Sequence, residues 1–223
     1  MFPIGDDNVR GSGPAWVTYA LIAINVLVFL LESTMDPNAL QAFFNQWAVQ
    51  PVEILAGQEL ITLLTSMFLH GGWMHLIGNM VFLWVFGDNI EHTLGSIPYL
   101  LFYLAGGLAA SAAHILTNST SDIPSLGASG AIAAVLGAYI VMFPRSQIRA
   151  LLLLGFFARV TRVSALLFLG IWFVTQLFSG IASLGPATAQ TSGVAFWAHI
   201  GGFVFGLAAG MLLRGRAAQL TTG

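Results

Sequence analysis

Residues 127–145 read GASGAIAAVLGAYIVMFPR. The fifteen residues 129–143 carry no charge and end at Pro144 and Arg145. As a helix this run would rise about 1.5 Å per residue, roughly 22 Å in all, against about 30 Å of bilayer hydrocarbon. Whether that shortfall has consequences depends on the solvent around the helix, and the rest of the chain answers this.

The chain has 223 residues, 57% hydrophobic and 7% charged, with nine acids, seven bases and a formal charge of −2. Soluble domains carry about 25% charged residues. A soluble fold of this size would lack the polar groups to cover its surface, so the composition reads as an integral membrane protein. The same numbers exclude a disordered chain and leave no basic face for nucleic acid. All seven bases are arginine, so lysine Schiff-base and Ser-Lys chemistry are excluded. The absence of cysteine removes disulfides, thiol nucleophiles and thiolate metal sites.

Working outward from 129–143, five further apolar runs are expected as spans: 15–31, 60–91, 99–117, 163–182 and 194–213. The segment 146–162 has an apolar heart at 150–157 bracketed by arginines, too short to span, and reads as an interfacial piece. With the amino terminus inside, Arg10, Arg145, Arg149, Arg159, Arg162, Arg214 and Arg216 all fall on the cytoplasmic side. A five-span or seven-span count would divide them. The expected organisation is a cytoplasmic tail over 1–14, a six-helix membrane domain over 15–213 and a cytoplasmic tail over 214–223. The tail 1–14 does not read as a signal peptide, so insertion is expected to rely on the first span.

In that setting the short fourth span matters. If Arg145 pins its inner end at the membrane face, its outer end stops several ångströms inside the hydrocarbon. Irregular backbone at that depth survives only within protein or beside a water-filled cavity. Ser129 is therefore expected at a sunken helix amino terminus in a wet hollow. His199 lies about 7–8 Å inside the sixth span and would reach Ser129 if spans four and six touch. Gly202, Gly206 and Gly210 on one side, and Gly127, Gly130 and Gly137 on the other, permit that approach. A serine with a histidine base is the minimum for acyl transfer. In span two, His75 and Asn79 share a helix face, whereas His70 and His75 do not share one cleanly. That spacing, and the lack of His-Glu-x-x-His, argues against zinc chemistry, and a pair of deep aspartates is also lacking.

Each residue alone has an ordinary explanation. A serine at a helix start commonly caps it, and a lone intramembrane histidine commonly bonds a neighbouring helix. The constellation carries the weight. Gly127-Ala128-Ser129-Gly130, Ala198-His199-Ile200-Gly201-Gly202 and His70 through Asn79 (HGGWMHLIGN), with Gly87 and Glu91 following, resemble in order the motifs of the rhomboid family of intramembrane serine proteases. The resemblance covers about 60–210.

It implies an all-α polytopic fold, a six-transmembrane-helix rhomboid-like bundle with a shortened fourth helix. It implies Ser129 as nucleophile and His199 as general base, with His75, Asn79 and the Ser129 N–H as oxyanion hole. His70, Gly127 and Gly130 would be supporting residues, and neither cofactor nor metal is implied. The implied partners are the lipid bilayer and single-pass transmembrane substrates, which would enter between spans two and five beneath a cap at 184–193. A bacterial or archaeal plasma membrane is the expected location. The chain departs from the family in two places. Ile61-Thr62 stands where many members have Trp-Arg, and Ala133 stands where a bulky aromatic often packs on the histidine. The group that orients His199 is thus not identified by the resemblance. Two rivals are an inactive rhomboid-like binder of transmembrane clients and a small channel or transporter. The presence of both Ser129 and His199 disfavours the first, and the lack of internal repeats disfavours the second.

Overall fold

The computed structural model describes residues 2–6, 13–154, 157–183 and 195–221. The expected cap at 184–193 lies outside them. The protein is predominantly helical. Strand β1 (Phe2–Asp6) precedes α1 (Trp16–Glu32), α2 (Pro37–Trp47), α3 (Pro51–Leu55), α4 (Thr62–Thr65), α5 (Trp73–Leu94), α6 (Ser96–Thr117) and α7 (Ser129–Met142). Strands β2 (Gln147–Leu154) and β3 (Phe157–Ser164) follow, then α8 (Ala165–Ser183) and α9 (Phe196–Thr221).

The apolar composition is built into helices that suit a bilayer. By length and composition α6, α8 and residues Phe196–Gly215 of α9 can each cross a membrane, and α1 and α7 are shorter apolar helices. The chain is an integral membrane protein.

At fourteen residues α7 is shorter than α1, α5, α6, α8 and α9, and it is the centre of the molecule: twelve of its residues are buried. Its closest neighbour is α9, and glycines set the separation. A Cβ at Gly202 or Gly206 would fall on the backbone oxygen of Gly130 or Ala134, and one at Gly210 would lie 2.9 Å from the Ala138 Cα. In the other direction, a Cβ at Gly137 would strike the Phe203 oxygen. The expected glycine stripe is therefore a backbone-to-backbone contact between α7 and α9, a packing mode open to helices with small residues on facing sides.

Glu91 ties the other end of the bundle together. Its carboxylate accepts the N–H groups of Val17 (2.9 Å) and Thr18 (2.8 Å) and the hydroxyls of Thr18 (2.8 Å) and Ser96 (2.7 Å). It thereby satisfies first-turn donors of α1, which have no intrahelical partner, and joins α1, α5 and α6.

Two elements differ from expectation. The fold is not all-α: 146–162 contributes to a three-stranded antiparallel sheet in the order β1-β2-β3. Gln147 pairs with Ser164 through to Leu154 with Phe157, and Phe2–Asp6 pairs along the other edge of β2. Runs such as Ala150-Leu151-Leu152-Leu153 are ambiguous between helix and strand from periodicity alone, and here strand pairing wins. Asp6 from β1 is buried and accepts from Asn89 of α5 (3.0 Å) and from the hydroxyl of Tyr139 of α7.

The second long helix also starts later than expected, at Trp73 instead of residue 60. Residues 60–72 form α4, a 3-10 turn at Ser66–Phe68 and a bend at Gly71-Gly72. The His70 N–H bonds the Glu32 carboxylate (3.2 and 3.3 Å) and so leaves the helical ladder, and the two glycines have low helix propensity.

Candidate active site

Three helices bring the site together. Ser129 is the first residue of α7, His199 lies in the first turn of α9, and Gln176 is on α8. Ser129 Oγ is 2.7 Å from His199 Nε2, and His199 Nδ1 is 2.7 Å from Gln176 Oε1. The expected meeting of Ser129 and His199 is thus present, and it follows from the glycine contact between α7 and α9.

The loop before Ser129 is held on both sides. Val49 and Ser125 exchange backbone hydrogen bonds (3.0 and 2.8 Å), and the Gly127 N–H donates to the Ser66 oxygen (2.8 Å). Gly127 has φ +127°, in the region that side-chain-bearing residues rarely adopt. It also has His75 against it: a Cβ there would lie 2.7 Å from His75 Nε2 and 3.6 Å from Ser129 Oγ. Both conditions select glycine.

His75 and Asn79, one turn apart on α5, line the same cavity as Ser129 and His199, a space of about 880 Å³. The Gly71 N–H donates to His75 Nδ1 (3.4 Å), so the ring proton is on Nε2, the nitrogen beside Gly127. Asn79 Nδ2 bonds His70 Nε2 at 3.0 Å, and the His70 and His75 rings meet edge to face at 5.0 Å. His70 therefore stands behind both residues, outside the cavity lining. Gly130 packs away from the cavity, where a Cβ would come within 2.6 Å of the Ala110 Cβ.

Three residues here escape the motifs read from sequence. Gln176 is the polar residue of α8 that reaches His199, and Trp172, one turn earlier, places its ring 5.9 Å from the imidazole. Glu32, the residue just after the expected span 15–31, is buried beneath His70. A polar residue inside an apolar span is a functional candidate by default, and that signal is present for Gln176. Ala133 is fully buried beside Gly202, and the aromatic ring near the imidazole is that of Trp172. Among the described residues no three His, Asp or Glu side chains converge as a metal site.

Chemically, the arrangement offers a serine hydroxyl in contact with an imidazole, N–H donors nearby and an adjoining cavity. The comparisons with known proteins fit this pattern. The family model for the Rhomboid domain matches residues 57–216. The chain belongs to the rhomboid family. "Rhomboid protease GluP" of Bacillus subtilis is 35% identical over 127 residues, covering 57% of this chain and 24% of that protein. "Rhomboid protein 1, mitochondrial" of Saccharomyces cerevisiae is 31% identical over 139 residues, covering 60% and 39%. "Presenilin-associated rhomboid-like protein, mitochondrial" of Homo sapiens is 29% identical over 210 residues, covering 90% and 48%. This rhomboid chain spans between about a quarter and a half of the length of these relatives. Mitochondrial proteins stand among them beside a bacterial one, so they give no particular support to the expected plasma membrane.

Proposed function

We propose that this rhomboid is an intramembrane serine endopeptidase that cleaves transmembrane proteins in or near their membrane helices. The observation that carries this reading is the 2.7 Å contact between Ser129 Oγ and His199 Nε2. Ser129 Oγ attacks the scissile carbonyl carbon while His199 Nε2 takes the hydroxyl proton. The new oxyanion is received by the Ser129 N–H, at the first position of α7 where no intrahelical acceptor is in reach, and by N–H donors of His75 and Asn79. When the carbon–nitrogen bond breaks, His199 returns the proton to the leaving amine. Water then hydrolyses the acyl-enzyme by the same exchange in reverse order.

The family's membrane topology comes with this reading: α1 and α5 to α9 are the six spans, both termini are cytoplasmic, and the cavity opens to the other side. Arg145 follows the end of α7 remote from Ser129, and Arg149, Arg159 and Arg162 lie on the sheet beyond it, which supports that orientation. The substrate helix enters between α5 and α8 and unwinds there, because a helical backbone keeps its carbonyls bonded. Small or helix-weakening residues near the outer end of the substrate helix favour cleavage.

The test uses the purified chain in detergent with a tagged single-span protein carrying small residues near its outer membrane boundary. Wild type is expected to cut it and Ser129→Ala to leave it intact. Equal cutting by both would remove Ser129 from the reaction. Equal cutting of a substrate helix stiffened with leucine would remove the unwinding step.

A further inference from the structure

We propose that Gln176 is a positioning residue for His199, holding the imidazole in the tautomer and orientation that Ser129 requires. This rests on the reading of Ser129 and His199 as a dyad, and it fills a gap that dyad leaves. Of the two ring nitrogens, only an unprotonated Nε2 can take the Ser129 proton. In a neutral imidazole one nitrogen carries hydrogen and the other a lone pair, and the partner of one decides the state of the other.

The structure gives Nδ1 a partner that selects. Gln176 Oε1, 2.7 Å from Nδ1, is an amide oxygen and accepts only, so Nδ1 carries the proton. Nε2 is then left with its lone pair, and it is Nε2 that stands 2.7 Å from Ser129 Oγ. The ring is held in plane as well as in tautomer. Trp172 and Gln176 are four residues apart on one face of α8, and the Trp172 ring lies 5.9 Å from the imidazole at 36°. Both restraints come from α8, whereas Ser129 and His199 come from α7 and α9. Ala133, where an aromatic often packs on the histidine, faces Gly202.

A neutral amide suits this position. Gln176 is half-buried, and a carboxylate in its place would lose part of its hydration among apolar helices, at a cost in stability. An amide oxygen fixes the tautomer without that penalty and forgoes the electrostatic support that an acid would give to the imidazolium.

The test compares wild type, Gln176→Met, which keeps length and apolar bulk without an acceptor, and Gln176→Glu, which keeps an acceptor. Two readouts are made at neutral pH: steady-state cleavage, and nitrogen-15 NMR of the histidines, with the His199 signals assigned by His199→Ala. The expected wild-type spectrum has the proton on Nδ1. Gln176→Met should shift the population towards the Nε2–H tautomer and lower kcat at least tenfold with KM within about twofold. Gln176→Glu should restore the Nδ1–H tautomer and at least a third of kcat, with the desolvation of its carboxylate appearing as a lower unfolding temperature. A destabilised fold alone would move neither tautomer nor the split between kcat and KM in this way. A wild-type proton on Nε2, or a Gln176→Met variant with unchanged tautomer and kcat, would overturn the assignment. The NMR arm separates the two readings. If wild type cuts nothing yet Gln176→Met still loses the Nδ1–H tautomer, the positioning contact stands and the proteolytic reading falls.

Discussion

Nε2 of His75 rests against the α-carbon face of Gly127, so close that a methyl group there would lie 2.7 Å from it. The same glycine holds φ +127°, and Ser129 follows two residues later. One position thus sets both the turn into α7 and the place of an N–H donor beside Ser129 Oγ. Gly127→Ala should therefore damage activity more than stability. Strained φ of this kind costs about 1–3 kcal/mol, whereas displacing an oxyanion donor typically costs about 10²–10³ in kcat. Thermal unfolding and cleavage kinetics on the same preparation check this, and an active Gly127→Ala variant would contradict it.

His75 and Asn79 are expected to act on the transition state more than on substrate binding. His75→Ala and Asn79→Ala should each lower kcat, by roughly 10–10³-fold, and leave KM within a few-fold. His70 is one bond removed: its ring holds Asn79 at 3.0 Å. His70→Ala should give a smaller loss that is not additive with Asn79→Ala, since residues in one hydrogen-bond network couple. A double-mutant cycle in kcat measures this, and strict additivity would separate His70 from the site.

The contact between α7 and α9 transmits packing to chemistry. A Cβ at Gly206 would fall on the Ala134 oxygen, so Gly206→Ala must push the helices apart. Overpacking of this kind costs about 1–3 kcal/mol. A displacement of about 1 Å between reacting groups can cost about 10² in rate. The variant should unfold at lower temperature and lose activity even where it remains folded. Gly170 serves as the control, because a Cβ there would meet nothing within 4 Å, and Gly170→Ala should do neither.

Much of this is legible in the sequence, because the physics responsible is local or one-dimensional. The apolar run 129–143 ends within one residue of the end of α7, and the Gly202, Gly206 and Gly210 stripe marks the face that meets α7. The juxtaposition of Ser129 and His199 follows from those two features. What is not legible depends on partners distant in the chain. The strands at 147–164 are stabilised by pairing with each other and with Phe2–Asp6, which no window of local periodicity reports. The late start of α5 depends on Glu32 drawing the His70 N–H out of the ladder across 38 positions. Gln176 is a single amide in an apolar run, and its significance lies in which nitrogen of His199 it faces.

Glu91 gives a prediction about stability apart from catalysis. It accepts four hydrogen bonds from α1 and α6, and hydrogen bonds to charged groups contribute about 1.5–3 kcal/mol each at most. Glu91→Ala leaves two first-turn N–H groups of α1 without that partner, and should destabilise the fold by about 2–4 kcal/mol given incomplete additivity. Cleavage measured well below its unfolding temperature should stay within a few-fold of wild type. A loss of activity without loss of stability would place Glu91 in the reaction instead.

The most direct measurement is of the serine itself. The purified protein, in wild-type, Ser129→Ala and His199→Ala forms, is incubated with a fluorophosphonate and the modified residue located by mass spectrometry. A Ser-His pair in working order should give one adduct, on Ser129, absent from Ser129→Ala and slowed at least a hundredfold in His199→Ala. Folded wild-type protein that takes no label, or takes it equally without His199, would contradict a dyad of Ser129 and His199.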